Sequence, residues 1–323
     1  MDRGGDLNAG KVTVGVEGRT LALSNLEKVL YPRVGFTKSE VIDYYARIAP
    51  VLLPHVEGRP LTFKRYPDGV DAPSFFEKNA ASHAPEWVAT VTLPSPSSTK
   101  DRSEIRYAVL DSLPALVWAA NLATLELHVP MWRVDGRGRR RPPDRLVFDL
   151  DPGAPANVVD CCRVALLVRG ILDEDRLVAY PKTSGGKGLH LQVPLRPRRS
   201  WEEVHAYARR VAERLAREHS RRIVSTMAKQ ARRGKVLVDW SQNHQAKTTV
   251  APYSLRAREE PTVSVPVTWD EVEGCAEGGT DSLRFGPQEV LDRVDVYGDL
   301  HGDLLSPRRS LPVSASRSSR RSR

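Results

Sequence analysis

Leu146-Val147-Phe148-Asp149-Leu150-Asp151-Pro152-Gly153 is an apolar run with two carboxylates set into its end. Side chains alternate along a strand, so Val147, Asp149 and Asp151 share one face while Leu146, Phe148 and Leu150 take the other. Two acids this close repel unless a cation joins them. Hard oxygen donors suit Mg2+ or Mn2+. A polar strand end running into a Pro-Gly turn gives the same local pattern. Lys235-Val236-Leu237-Val238-Asp239 is a second apolar strand closed by an acid. Three such acids could hold two ions about 3.5–4 Å apart, the arrangement used for in-line phosphoryl transfer.

A second element is Lys182-Thr183-Ser184-Gly185-Gly186-Lys187-Gly188-Leu189-His190. Its glycines allow close backbone approach to a ligand, and its N–H groups could face phosphate. Lys187 adds a point charge, and His190 shares a strand face with Gln192. Lys187 is followed by Gly188, so this is not a Walker A loop. A tight structural hairpin is the competing reading. Behind the third acid come Trp240-Ser241-Gln242-Asn243 and Pro252-Tyr253-Ser254-Leu255-Arg256, rich in amide, hydroxyl and guanidinium groups. The Arg fork suits a triphosphate. Phe75-Phe76 with Lys64-Arg65 joins aromatic rings to cations, as stacking on single strands requires. His128 shares a face with Glu126 and reads by default as a satisfied polar residue.

The elements that must carry these residues read as follows. Val12, Val14 and Val16 alternate up to Glu17-Gly18, and Leu21 and Leu23 alternate after it, giving a hairpin. Thr37-Lys38-Ser39-Glu40 is a capping box opening a helix through Val41, Tyr44, Tyr45 and Ile48. Residues 112–123 read as an apolar helix and 125–129 as a strand. Strands at 145–150, 177–182, 189–195 and 235–239 alternate with helices at 156–172 and after the box Ser200-Trp201-Glu202-Glu203. Without strict βαβ repetition, and with a hairpin at the Gly turn, this is an α/β (α+β) core on a mixed or mostly antiparallel sheet.

The 323 residues carry 49 basic and 40 acidic side chains, a net charge of +9. Six Arg and no acid fall in 306–323, a Ser/Arg tail too poor in apolar residues to fold. Residues 1–305 are therefore expected to form the working domain, and 306–323 a disordered tail. Arg137, Arg139, Arg140 and Arg141, and then Lys229, Arg232, Arg233 and Lys235, are local basic runs pointing to a polyanionic partner. No run of about 18 apolar residues is present, and Met1–Gly10 lacks a secretory h-region. Cys161, Cys162 and Cys275 make no disulfide framework, which fits a reducing cytoplasm.

The ordered set Asn25-Leu26-Glu27-Lys28-Val29-Leu30-Tyr31-Pro32, Gly58-Arg59-Pro60, Phe75-Phe76-Glu77-Lys78, Asn121 to His128, and the three elements above resembles one family. It is the polymerase domain of bacterial ATP-dependent DNA ligase D, in the archaeo-eukaryotic primase superfamily. The resemblance runs from about Val12 to Leu305. It implies a nucleotidyltransferase that fills gaps and extends broken DNA ends in non-homologous end joining, using rNTPs or dNTPs and two Mn2+ or Mg2+ ions. It implies Asp149, Asp151 and Asp239 as metal ligands. His128, Ser184, Lys187, Gly188, His190, Gln242 and Arg256 would surround the nucleotide. Asn25, Lys28 and Lys38 would hold a downstream 5′-phosphate, and Lys38 at a helix N-terminus suits an anion independently. Phe75 and Phe76 would stack on the template, with Lys64 and Arg65 alongside. The resemblance also implies DNA ends, Ku and a separate ATP-dependent ligase as partners, in the cytoplasm at the nucleoid and away from membranes. Ligase and phosphoesterase domains have no room in 323 residues, so a stand-alone polymerase is expected.

Two other classes stay open. Phe148-Asp149-Leu150-Asp151 superficially matches the start of a haloacid-dehalogenase phosphohydrolase, though about 150 residues precede it and Gly153 stands where Thr or Val belongs. A catalytically silent DNA-end scaffold is the other.

Overall fold

The computed structural model describes residues 11–94, 103–278, 283–306 and 309–312. Two antiparallel-rich sheets organise it. The larger has five strands in the order Tyr180–Thr183, Leu189–Pro194, Arg145–Pro152, Val236–Asp239 and Ile223–Val224, of which only the last pair is parallel. The smaller has the order Thr249–Val250, Thr124–Val129, Thr62–Arg65 and Phe75–Glu77, all antiparallel. The mixed α/β class expected from the sequence is the one observed.

Alternation explains the central strand. Leu146, Phe148 and Leu150 are fully buried on one face, beneath the helix Val158–Glu174, whose Cys161, Val164, Ala165 and Val168 are buried too. The opposite face carries Arg145, Val147, Asp149 and Asp151. The Val12 hairpin forms as read, Lys11–Val16 against Arg19–Ser24. The capping boxes at Thr37 and Ser200 both close, and open the helices Lys38–Val56 and Trp201–Glu218. The first of these runs beyond Ile48 to Val56, through Pro50 and Pro54. The strand expected at 177–182 begins only at Tyr180, although Leu177 is buried.

The tail boundary needs correction. Arg196 N–H donates to Arg309 O at 2.7 Å, Arg199 Nη2 donates to Leu311 O at 3.3 Å, and Leu311 is buried in the main core. Folded chain therefore extends past 305. Composition averaged over 306–323 hid the one leucine that joins the core. Residues 313–323 lie outside the described residues. The basic run at 136–141 is a turn tied down locally. Asp135 accepts from the Arg137 and Arg139 N–H groups, and Arg140 lies 4.6 Å over the Trp132 ring.

Candidate active site

Strand register assembles the site. Asp149 lies opposite His190 on one side and opposite Asp239 on the other, and Lys182 lies opposite His190 one strand further out. Residues directly opposite share a face. One polar side chain from each of four strands thus forms the row Lys182, His190, Asp149, Asp239. His190 Nε2 stands 3.4 Å from Asp149 Oδ1. Gln242 Nε2 reaches both acids, at 3.1 Å from Asp239 Oδ2 and 3.5 Å from Asp149 Oδ2. The short helix Ser241–Asn243 places it there, and Ser241 N–H donates to Asp239 Oδ1 at 2.8 Å. Asp151, two residues along the same face, is exposed and pairs with Arg232 at 3.4 Å.

The electrostatics separate the two neighbouring acids. Burial alone would raise the Asp149 carboxyl, but His190, Lys182 and Arg256 outweigh it and hold the group below its ordinary range. Burial, then the charges of Asp149 and Asp239, push the Asp151 carboxyl up. Burial and the Lys182 charge push the His190 imidazole down. Lys182 itself is fully buried, donates to Ser264 Oγ, and is driven far below the usual lysine range by burial and by Arg256. Among the described residues, no three His, Cys, Asp or Glu side chains converge as they stand on one ion position. The donor chemistry still fits hard divalent cations: three carboxylates within mutual electrostatic reach, one of them penalised for its charge.

The glycine turn is built for packing as well as for ligands. Gly185 has φ +66°, and a Cβ at Gly188 would stand 2.1 Å from Leu150 O. The close approach the sequence assigned to a ligand is thus made by the central strand. Ser184 Oγ accepts from the Gly186 and Gly188 N–H groups at 3.2 Å each, and Ser184 O accepts from Arg256 Nη1 at 2.6 Å. Lys187 is exposed at the tip.

The smaller sheet supplies the facing wall. Glu126 on the strand Thr124–Val129 is buried and is a hub the sequence reading passed over. It is hydrogen-bonded to His128 Nε2 at 2.9 Å and accepts from Ala257 N–H at 3.2 Å, and it is ion-paired with Arg256 Nε at 3.3 Å and Lys64 Nζ at 4.0 Å. Burial would raise its carboxyl, but His128, Arg256 and Lys64 lower it to about 2. The sequence signal was its period-two spacing from His128. Lys182 had the same signal, two residues before Ser184. Phe75 and Phe76 are both exposed but point to opposite faces of their strand: Phe76 touches His128 at 5.5 Å and Lys64 at 5.5 Å, while Phe75 lies at 5.3 Å from Arg65. They do not form one stacking surface.

Asn25, Lys28 and Lys38 gather at the start of the helix Lys38–Val56. Asn25 holds φ +53° and its carbonyl accepts from Lys28 N–H at 3.1 Å. Lys28 Nζ pairs with Asp68 at 2.6 Å, and Lys38 Nζ donates to Ser24 O at 2.6 Å. Burial, then the charges of Lys28 and Arg65, lower Lys38 to about 8.

Comparison with known proteins bears on this arrangement. The family model for the LigD primase-polymerase domain matches residues 37–301. The multifunctional non-homologous end joining protein LigD of Mycolicibacterium smegmatis is 48% identical over 282 residues, 87% of this chain and 36% of that protein. The bifunctional LigD of Bacillus subtilis is 30% identical over 296 residues, 91% of this chain and 46% of that protein. The chain thus spans less than half the length of either relative. Among solved structures, the polymerase domain of Mycobacterium tuberculosis ligase D in complex with DNA aligns with a TM-score of 0.82 at 44% identity, covering 89% of this chain and 99% of that one. With the match spanning residues 37–301, both sheets and the acid row included, the chain belongs to the LigD primase-polymerase domain family, a family of nucleotidyltransferases.

Proposed function

We propose that the chain is a DNA-directed nucleotidyltransferase that adds rNTPs or dNTPs to 3′-hydroxyl ends and fills gaps at double-strand breaks during bacterial non-homologous end joining. The observation that carries this reading is the register that sets Asp149 opposite Asp239, with Asp151 two residues further on the same face. These three acids are the residues that would hold two divalent cations, Mn2+ or Mg2+, whose chemistry is to activate a 3′-hydroxyl and neutralise a leaving pyrophosphate. The chain's own groups prepare that chemistry. His190 and Lys182 keep Asp149 ionised. Gln242 orients the Asp149 and Asp239 carboxylates toward each other. Arg256, fixed between Ser184 O and Glu126, and Lys187 at the turn tip offer cationic contacts to a triphosphate.

Lys28, Lys38 and the capped helix start are proposed to hold the 5′-phosphate of gapped DNA, with Asn25 shaping the approach. Lys64, Arg65, Phe75 and Phe76 are proposed to meet the template, one ring on each side of the edge strand. Ku and an ATP-dependent DNA ligase are the proposed partners at the break, in the cytoplasm at the nucleoid. No helix among the described residues is long and apolar enough to cross a membrane.

The test is primer extension on gapped DNA with Mn2+ and either sugar. Asp149→Ala should abolish extension while DNA affinity stays near wild type, because phosphate contacts by Lys and Arg supply binding. Extension by Asp149→Ala at the wild-type rate would refute the acid assignment. DNA binding with no extension by the wild-type protein would favour the scaffold reading, and release of inorganic phosphate the hydrolase.

A further inference from the structure

His128 and Glu126 pose a question that the acid row does not answer. A buried carboxylate in the wall of a pocket proposed for a triphosphate opposes the ligand it would help to bind. The contacts suggest what it does instead. Glu126 Oε2 lies 2.9 Å from His128 Nε2, and Glu126 is ionised, so it can only accept. The proton of that bond therefore sits on His128 Nε2. The remaining ring nitrogen, Nδ1, has no hydrogen-bond partner among the described residues. The ring is packed edge-on to Phe76 at 5.5 Å, and its side chain keeps 13% of its surface exposed.

We propose that Glu126 is a positioning residue that pins His128 by Nε2, so that Nδ1 is the atom presented to the nucleotide phosphates and takes up a proton from solvent as they bind. The inference rests on the reading of this pocket as the nucleotide site. Phosphate oxygens at neutral pH accept hydrogen bonds and do not donate them, so a bare Nδ1 gains nothing from them until it is protonated. The free protein keeps it bare: burial, with Arg256 from the short strand Leu255–Arg256 and Lys64 from the adjacent strand, lowers the His128 imidazole, and Glu126 on its own strand opposes them only in part. A bound triphosphate adds negative charge and tips that balance. Glu126 also holds Arg256 and the Ala257 N–H, so the same carboxylate aligns two phosphate donors at once.

Nitrogen-15 spectra of the histidines in the free chain come first. They should show the His128 proton on Nε2 in the wild type, with the ring titrating at lower pH in Glu126→Gln. Calorimetry with a non-hydrolysable magnesium nucleoside triphosphate, run in two buffers of different ionisation enthalpy, then reads proton uptake. Wild type should take up more protons than either His128→Asn or Glu126→Gln; the nucleotide's own protonation is common to all three. Asn places its amide where Nδ1 was, and Gln where Nε2 was. His128→Asn should therefore bind the nucleotide more tightly than His128→Gln, which should weaken about tenfold, the low end for one charge-assisted hydrogen bond. A proton found on Nδ1 in the free wild type, equal uptake by wild type and His128→Asn, or binding by His128→Gln as tight as by His128→Asn would each overturn the proposal. Failure of the wild type to bind any nucleotide would remove the pocket reading and the proposal with it. Tight binding indifferent to position 128 would remove the proposal alone.

Discussion

At the scale of the residue, Lys38 shows how surroundings rewrite a side chain. The sequence presents it as one more basic residue at a capped helix start. Burial beside Ser24, with Lys28 and Arg65 close enough to repel it, lowers it to about 8. The sign of the consequence follows. Lys38 is cationic below about pH 8 and, in its proposed role, would attract a 5′-phosphate there; that attraction would fade as pH rises through about 8, while an ordinary surface lysine would keep its charge to above 10. We expect wild type to prefer phosphorylated over hydroxyl gaps roughly tenfold at pH 7, consistent with about 1.5–3 kcal/mol for one charge-assisted contact. The preference should decline between pH 8 and 9.5, and Lys38→Met should start low and stay flat. Paired binding isotherms on the two gaps across that range check it. Residue type and capping pattern exposed the candidate; its depressed basicity depends on Arg65, 27 positions away, and no local pattern carries that.

Among the elements, the glycine hairpin divides its labour between shape and charge. Gly188 permits contact with the central strand, since a Cβ there would stand 2.1 Å from Leu150 O. Leu150 O is backbone of the central strand and Gly188 directly precedes that strand's partner, so neither can step aside as a side chain could. Gly188→Ala should therefore cost about 1–3 kcal/mol or more of stability, as overpacking does, and shift the acid row with it. Lys187→Ala, exposed at the tip, should leave the urea midpoint unchanged and instead lower kcat/KM for the nucleotide about tenfold, through lost charge-assisted bonding. Denaturation and steady-state extension of the two variants side by side separate the roles; normal kinetics for Lys187→Ala would leave the turn a purely structural hairpin. The hairpin, both capping boxes and the alternating apolar strands were legible because their signals are local. Register was not. That Asp149 meets Asp239 rather than Leu237 is decided by how two strands 84 residues or more apart slide against each other, and the period-two pattern says only which face each acid takes. Glu126 was read only as a neighbour of His128 for a related reason: its other partners arrive from the separate segments of Lys64 and of Arg256 and Ala257.

For the molecule as a whole, one strap joins the two sheets. Tyr253 O accepts from Tyr44 Oη at 2.8 Å, Leu255 N–H donates to Tyr45 Oη at 3.2 Å, and Arg256 O accepts from Tyr31 Oη at 3.1 Å. Both Tyr44 and Tyr45 belong to the helix that Lys38 opens. Composition pointed to a folded body, but not to this wiring, nor to Leu311 in the core, because both depend on single long-range contacts. The helix, with the strap bonded to it, carries the proposed 5′-phosphate site at its start and Arg256, in the proposed nucleotide pocket, along its side. Two ligands bound to one protein must obey a reciprocity: whatever factor a 5′-phosphate lends to nucleotide affinity, the nucleotide lends back to phosphate affinity. We expect that factor to exceed one for the wild type and to fall toward one in Tyr45→Phe, which keeps the ring but drops the hydroxyl that receives Leu255. A thermodynamic box of four dissociation constants measures it on both legs, and a wild-type factor of one would mean that the enzyme senses the break and chooses its substrate as two independent devices.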